Sequence, residues 1–221
     1  MTRPKSTQAL SLREGGFASA PTPQVPDSLA PFLELAEVQL PDPGPGQVVI
    51  EVTMAPVNPS DLFFVQGGYG QPRVQGQAAG FEGVGTVIAG NGPQAEALIG
   101  KRVSFLGTGT GAWARHALTD AAICIPLHDA VKDADAAALI VNPLTAVALV
   151  ERVKEAGSTA FFVNAAGSQL GRLILGLARD EGLTAIAVIR RSGAEQALLD
   201  AGAAAVLVSS EDGVAAQTRA V

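Results

Sequence analysis

The segment TAFFVNAAGSQLG, at residues 159–171, indicates the fold of the second half of the chain. It begins with a short apolar run typical of a buried β-strand, passes through a turn of small residues, and enters a helix-periodic stretch at residues 170–179. Two more strand-like runs, at residues 185–189 and 204–208, enclose a further helical stretch at residues 194–200. This alternation predicts a parallel sheet with right-handed helical crossovers.

The turn in this segment lies where dinucleotide-binding domains hold a pyrophosphate, which is usually marked by the fingerprint G-x-G-x-x-G. Aligning the last glycine of the fingerprint with Gly171 puts Ala166 and Ser168 at the first two glycine positions. Small side chains let the backbone approach a phosphate, and the helix N-terminus supplies free N–H donors. The candidate phosphate-binding residues are Ala166, Gly167, Ser168, Gln169, Leu170 and Gly171. The alternative is an ordinary strand–helix turn.

The end of the second predicted strand indicates which dinucleotide would bind. Arg190, Arg191 and Ser192 follow this strand directly, and residues 185–193 contain no carboxylate. Sites that prefer NAD place an Asp or Glu near here for the ribose 2′-hydroxyl, whereas an Arg accommodates a 2′-phosphate. Because two guanidiniums and a hydroxyl suit a phosphate monoester, NADPH is the predicted cofactor. The alternative is a solvated arginine pair on a loop.

The first half of the chain has a different pattern of predicted secondary structure, with strand-like runs and turns instead of long periodic helices. The runs lie at residues 8–13, 47–52, 83–88, 101–106 and 112–117. Such a succession of short strands predicts a small barrel or sandwich. A helix is predicted over residues 136–155, and Pro143 would kink or split it.

The composition restricts the class of protein. The 221 residues carry 15 basic and 21 acidic side chains, a formal net charge of −6, without a basic cluster. We therefore expect neither nucleic acid nor a membrane as partner. One cysteine allows no intrachain disulfide, and no apolar run reaches the length of a membrane span. The predicted location is the cytoplasm, with a transit peptide in the first sixteen residues as the alternative.

Six short motifs, in this order, resemble the medium-chain dehydrogenase/reductase superfamily. They are NPSD at 58–61, QGGYG at 66–70, GFEGVG at 80–85, GKRV at 100–103, GTGAW at 109–113 and NPLTA at 142–146. Within the superfamily the chain is most similar to zinc-independent quinone oxidoreductases and 2-enoyl thioester reductases. The resemblance implies an α/β chain with a GroES-like β-barrel catalytic domain at residues 1–128. A partial Rossmann domain, a doubly wound parallel sheet that binds NADP, would follow at residues 129–221.

The same resemblance implies an NADPH-dependent reductase that transfers a hydride to an activated C=C bond or a quinone. Zinc-dependent members place a cysteine within the segment matching residues 58–61 and a His-Glu pair at Phe81 and Glu82, so no metal is expected here. Tyr69 matches the tyrosine of the enoyl thioester reductases, whose phenol would stabilise an enolate oxyanion or hold the substrate carbonyl. Trp113 would form an apolar wall for the substrate. The alternatives are a turn aromatic for Tyr69 and a core residue for Trp113.

Four polar residues are candidate cofactor-binding residues: Asn58, Asp61, Asn142 and Thr145. In the resembling enzymes the segment with Asn58 and Asp61 flanks the nicotinamide, and Thr145 is expected near the nicotinamide amide. Asp61 has an equally good structural explanation, because it can cap a short helix at residues 62–66. Asn142 lies in the predicted helix 136–155, where asparagine is unfavourable, and this suggests a polar task. The helix break at Pro143 would account for part of that pattern without any function.

The predicted Rossmann domain is short of strands. A doubly wound domain has about six strands, whereas three are predicted here, and the run at residues 159–164 would then lie at an exposed apolar edge. We expect either a C-terminally incomplete chain or a second chain that completes the sheet. Full-length relatives are expected to act on small molecules as homodimers. An incomplete chain of this kind can be inactive in hydride transfer by itself, and the alternative function is a non-catalytic nucleotide-binding or regulatory remnant.

Overall fold

The structure is a computed structural model that describes residues 3–19 and 25–210. These residues form two compact units, one ending at Ile140 and the other beginning at Val141. Each unit has its own sheet and its own buried apolar cluster. The first unit extends to Ile140, past the predicted boundary at residue 128. One contact of this added segment is the hydrogen bond of 2.7 Å that Ser104 Oγ donates to the Ala136 carbonyl.

The first unit is built from antiparallel strands. Its elements are β1 (Ser6–Leu12), β2 (Leu33–Gln39), β3 (Gln47–Met54), α1 (Pro59–Val65), β4 (Glu82–Gly90), α2 (Pro93–Glu96), β5 (Arg102–Leu106), β6 (His116–Asp120), β7 (Ile125–Pro126) and α3 (Asp133–Ala136). Strands β1 and β2 form a two-stranded ribbon, and the other five form a sheet in the order β6-β3-β4-β5-β7.

Strand β3 is the centre of this unit because both of its faces are covered. Val48 and Ile50 point into a cluster with Phe105, while Val49 packs with Leu40 and Leu118 on the opposite face. Burial on both faces explains why this strand is an uninterrupted β-branched run instead of an alternating one. A GroES-like β-rich unit is thus confirmed.

Two details of the first unit differ from the prediction. The strand predicted at residues 112–117 begins only at His116, because Trp113 instead bonds to two other segments: its N–H donates to Ala79 O and its carbonyl accepts from Leu10 N. Strand β2 was not predicted. Its pattern is irregular, since Leu33 is buried whereas Leu35 is exposed.

The second unit alternates helices and parallel strands as predicted. Its elements are α4 (Val141–Glu155), β8 (Ala160–Asn164), α5 (Gln169–Asp180), β9 (Thr184–Ile189), α6 (Glu195–Asp200) and β10 (Ala205–Val208). The strand order β10-β9-β8 is parallel throughout, which is the adenine-side half of a Rossmann sheet. The predicted helix 136–155 is split. Pro143 lies in the first turn of α4, where its missing N–H has no partner to lose.

Strand β8 lies at the edge of this sheet and pairs, among the described residues, with β9 alone. Phe162 of this strand remains 51% exposed, and Leu149 and Leu170 flank it in an apolar groove. The predicted exposed apolar edge is therefore confirmed. Of the helices in residues 3–19 and 25–210, none combines the length and apolarity needed to cross a bilayer.

Candidate functional site

The predicted phosphate turn connects β8 to α5 and is closed by its own hydrogen bonds. Ser168 is the N-cap of α5, and its Oγ accepts a hydrogen bond of 3.0 Å from the Gly171 N–H. The Ser168 N–H donates to the Ala165 carbonyl at 2.9 Å. The other N–H groups of the first helical turn lack intrahelical acceptors, so they remain available for an anion.

Close packing explains the small residues at two positions of this turn, Ala166 and Gly171. A Cβ on Gly171 would lie only 2.6 Å from Cα and O of Ala166, which is itself fully buried. Gly167 is exposed and has no atom closer than 4.0 Å to the position of a Cβ. Ala165 is the one non-glycine residue of the described ranges with positive φ, at 51°. Strain of this kind recurs at ligand-binding turns, since the chain there must expose its N–H groups.

A cavity of about 580 Å³ opens beside this turn at the carboxyl ends of the strands. It is lined by Asn164, Ala165, Gly167, Ser168, Val188, Ile189, Arg190, Arg191, Ala194 and Ser209. Open parallel sheets bind their ligands at this end, and the volume is that of a small-molecule site. The structure therefore brings the predicted phosphate turn and the predicted arginine pair to one cavity.

The two arginines of this cavity are exposed and uncommitted. Neither guanidinium has an ion pair or a hydrogen bond to another described residue, whereas Arg152 and Arg179 are both paired with acids. The neighbouring Glu195 carboxylate is engaged elsewhere, accepting from the Gly193 N–H at 2.6 Å. Two free guanidiniums suit a phosphate group.

The cavity also differs from the predicted set of residues. Ser192 is exposed but does not line it, and Gln169 belongs to the helix start without lining it. Ser209, which was not predicted, comes directly after β10, where its N–H donates to the Ile189 carbonyl at 2.8 Å. Its signal in the sequence was its place after the third strand, because the carboxyl ends of parallel strands meet at one edge.

In the first unit, Asp61 is a buried structural carboxylate. Its Oδ2 accepts from the Asn58 N–H at 2.8 Å and its Oδ1 from the Phe81 N–H at 2.9 Å. The first bond is half of a capping box at the start of α1, so Asp61 has a capping role. The helix begins at Pro59 instead of residue 62, with Asn58 as its N-cap and Asp61 inside its first turn. Burial raises the pKa of Asp61 to about 6, although the two backbone N–H bonds oppose the shift, and the nearby Glu82 adds to it.

Glu82 is a second buried carboxylate, which sequence reasoning missed. It is 1% exposed, and its oxygens accept from Asn58 Nδ2 at 2.9 Å and from the Ile140 N–H at 3.0 Å. An acid inside the otherwise apolar and glycine-rich strand GFEGVG was the available signal. Asn58 is thereby held between α1 and β4, and its predicted cofactor contact is not tested by these bonds.

Tyr69 and Trp113 adjoin one apolar cluster but are bound differently. The Tyr69 side chain is 42% exposed, its ring centroid lies 5.5 Å from that of Phe81, and its hydroxyl bonds to no described residue. Trp113 packs on the cluster that contains Phe64, and its Nε1–H donates to Pro56 O at 2.9 Å. This is the core packing given above as the alternative for Trp113, whereas Tyr69 presents a free hydroxyl.

Asn142 and Thr145 lie in the first turns of α4, in the second unit. Asn142 is half-buried, so it is not the mid-helix residue that the unsplit helix implied. Thr145 is exposed, and its Oγ1 donates to the Val141 carbonyl at 2.6 Å, the usual local bond of a helical threonine. Their cofactor contacts stay predictions.

Known proteins resemble this chain in sequence and in structure. The alcohol dehydrogenase GroES-like domain family matches residues 44–129. The mitochondrial enoyl-[acyl-carrier-protein] reductase of Bos taurus is 31% identical over 174 residues, which are 77% of this chain and 46% of that protein. This chain therefore spans about half the length of the curated relatives it matches.

Two solved structures extend the comparison to the whole described fold. A Mesorhizobium loti protein assigned as an NADPH:quinone reductase is 46% identical with a TM-score of 0.91, covering 100% of this chain and 65% of that one. A mycobacterial protein solved in complex with NADPH is 26% identical with a TM-score of 0.72, covering 94% of this chain and 59% of that one.

The β-rich unit, the parallel half-sheet and its phosphate turn define the class of two-domain chains in which a GroES-like domain is followed by a Rossmann domain, here present in part. The chain belongs to the medium-chain dehydrogenase/reductase superfamily. Its relatives include proteins described as quinone reductases and enoyl reductases.

Proposed function

We propose that this chain is part of an NADPH-dependent reductase that transfers a hydride to an activated C=C bond or to a quinone. The observation that carries the proposal is the 580 Å³ cavity, where the phosphate turn and two uncommitted arginines meet at the carboxyl ends of the strands. Relatives that are enoyl reductases and quinone reductases support the reaction class, and the mycobacterial complex supports NADPH.

The residues present fit the cofactor. The turn from Ala165 to Gly171 is closed, its glycine packs against Ala166, and the helix N-terminus can accept a pyrophosphate. Arg190 and Arg191 would hold a ribose 2′-phosphate, because guanidiniums bind phosphate oxygens in pairs. When bound, NADPH supplies the hydride.

Tyr69 is the proposed polar contact for the substrate. Reduction of a conjugated thioester places negative charge on its carbonyl oxygen, and an O–H donor held nearby stabilises that charge. Tyr69 suits this role because the residue is 42% exposed and its hydroxyl makes no bond to the described part of the chain. Trp113, which packs on the apolar cluster that contains Phe64, would add apolar surface beside the substrate.

The donor set in the first unit favours a reaction without zinc. The zinc-dependent relatives were expected to place a histidine at the position of Phe81, which offers no metal ligand. We therefore propose that an O–H donor polarises the substrate carbonyl.

Stopped-flow measurement of NADPH oxidation tests the function. A full-length version of the protein is mixed with NADPH and either a medium-chain enoyl thioester or a quinone, and the absorbance of NADPH is followed. Oxidation that depends on either acceptor is expected. NADPH binding without oxidation by either acceptor would favour a non-catalytic nucleotide-binding protein instead. The homodimer and the cytoplasmic location stay predictions from the resemblance.

A further inference from the structure

Three aromatic rings form a ladder from the interior of the first unit to its surface. The ring centroids of Phe64 and Phe81 are 5.1 Å apart with planes tilted by 50°, and those of Phe81 and Tyr69 are 5.5 Å apart with a tilt of 40°. Phe64 is buried on α1, Phe81 is half-buried, and Tyr69 is exposed. These distances and tilts are those of favourable aromatic pairs.

The middle rung of this ladder is fixed through its backbone. The Phe81 N–H donates to Asp61 Oδ1 at 2.9 Å, and the Phe81 carbonyl accepts from the Gly107 N–H at 2.8 Å. Asp61 belongs to the same helix as Phe64, so α1 holds Phe81 by a hydrogen bond and by a ring contact. The position of Phe81 is therefore set independently of Tyr69.

Tyr69, by contrast, has no hydrogen bond from its hydroxyl to a described residue that would set the direction of its ring. It follows the turn after α1, where the Gly67 and Gly68 N–H groups bond to the carbonyls of Phe64 and Phe63. Those bonds fix the backbone before Tyr69. The side chain makes one ring contact among the described residues, which is with Phe81, and its hydroxyl makes no bond there.

We propose that Phe81 is a positioning residue that orients the Tyr69 ring and so places its hydroxyl toward the substrate carbonyl. The proposal rests on the proposed function for its catalytic consequence. In the zinc-dependent members a zinc-ligating histidine was expected at this position. Here the position holds the ring of Phe81, which packs against the ring that carries the Tyr69 hydroxyl. Asp61 contributes to the same arrangement by holding the Phe81 backbone.

The first test does not depend on turnover. Tyr69 is the only tyrosine of the chain, so incorporation of 3-fluorotyrosine gives a protein with one ¹⁹F resonance from this ring. Phe81→Leu is expected to move that resonance. Phe81→Trp, which keeps an aromatic ring at this place and adds no second tyrosine, is expected to leave it closer to the wild-type position. Phe63→Leu is the matched control, because Phe63 lies half-buried on α1 outside the ladder.

The second test is kinetic and separates positioning from general damage. Phe81→Leu is expected to lower kcat for an enoyl thioester by about 2- to 13-fold, the range that one aromatic pair is worth, while its KM changes less. Quinone reduction, which does not use the Tyr69 hydroxyl, should keep its rate. In a Tyr69→Phe background, Phe81→Leu should cost nothing further, because the group it orients is gone.

The two tests fail for different reasons. An unmoved ¹⁹F resonance in Phe81→Leu would overturn the positioning role even if the chain reduces both acceptors. Equal loss of thioester and quinone turnover would overturn it as well, since that is the result of a merely structural defect. Absence of turnover in the wild type would refute the proposed function, while the resonance would still decide whether Phe81 orients Tyr69. If Phe81→Leu does not fold, Phe81→Met replaces it, because its flexible unbranched side chain fills irregular space without a ring.

Discussion

Gly171→Ala is the most informative single change at the phosphate turn. The added Cβ would lie 2.6 Å from Cα and O of Ala166, whereas ordinary contacts begin at about 3.4 Å. Helix α5 or the turn must therefore retreat by about 0.8 Å. Both atoms that block the methyl group belong to the backbone, so no side-chain rotation relieves the contact.

The expected losses follow from this displacement. Overpacking of this kind costs about 1–3 kcal/mol of unfolding free energy. A retreat of the turn also lengthens the hydrogen bonds from the helix N-terminus to a pyrophosphate, and one such charge-assisted bond is worth about 1.5–3 kcal/mol. We therefore expect NADPH to bind about 10- to 100-fold more weakly to the folded variant.

Gly176→Ala is the matched control, because Gly176 lies on the same helix. A methyl group added there would have the Ala201 carbonyl oxygen as its nearest neighbour, at 3.7 Å, an ordinary contact. This variant should gain about 0.5–1 kcal/mol from helix propensity and bind NADPH as the wild type does. Urea unfolding and fluorescence titration measure the two quantities. If a folded Gly171→Ala protein binds NADPH as tightly as the wild type, NADPH binding does not require the close packing of the turn against the helix.

Three further changes test other parts of the account. Ala165→Gly should raise the unfolding free energy by about 0.5–1 kcal/mol, measured in urea, because glycine adopts the φ of 51° without strain; a lower stability would contradict this. The pKa of Asp61 is raised from 3.8 to about 6, so its folded form binds a proton more tightly than the unfolded form. The stability that this protonation supplies is full below about pH 4 and is lost as the pH rises through 6. Relative to Asp61→Asn, wild-type stability should thus fall by on the order of 3 kcal/mol over that window, and parallel pH profiles would refute it. Tyr69→Phe should lower kcat for an enoyl thioester by about 100-fold and spare a quinone; equal effects on both would remove the phenol from the mechanism.

The second unit was predictable because its signals are local. The apolar run at residues 159–164 and the turn after it are contiguous in sequence, and strands β8, β9 and β10 lie within one residue of the predicted bounds. The meeting of the phosphate turn with Arg190 and Arg191 follows from one topological rule, since both come directly after parallel strands. Periodicity and that rule were sufficient for this half of the site.

The contacts of the first unit were not predictable in the same way, because they join distant segments. The buried Glu82 carboxylate accepts a hydrogen bond from the Ile140 N–H, which lies 58 residues away in the sequence. No pattern near Glu82 in the sequence predicts that partner. The residues at 112–115 have strand-like composition, yet Trp113 bonds to Ala79 and Leu10 instead of forming a strand. Phe81 and Tyr69 were both visible as residue types, but their ring contact depends on how α1 meets β4.

The affinity for NADPH relative to NADH, measured by titration on wild-type protein and on Arg190→Ala/Arg191→Ala, tests the central claim most directly. We expect the wild type to prefer NADPH by about 100-fold, since charge-assisted bonds to a 2′-phosphate are worth about 1.5–3 kcal/mol each. The double variant should lose that preference while keeping its affinity for NADH, and Arg152→Ala, which removes an ion-paired arginine outside the cavity, should keep it. A wild-type protein that binds NADH as tightly as NADPH, or a double variant that retains the preference, would contradict the account.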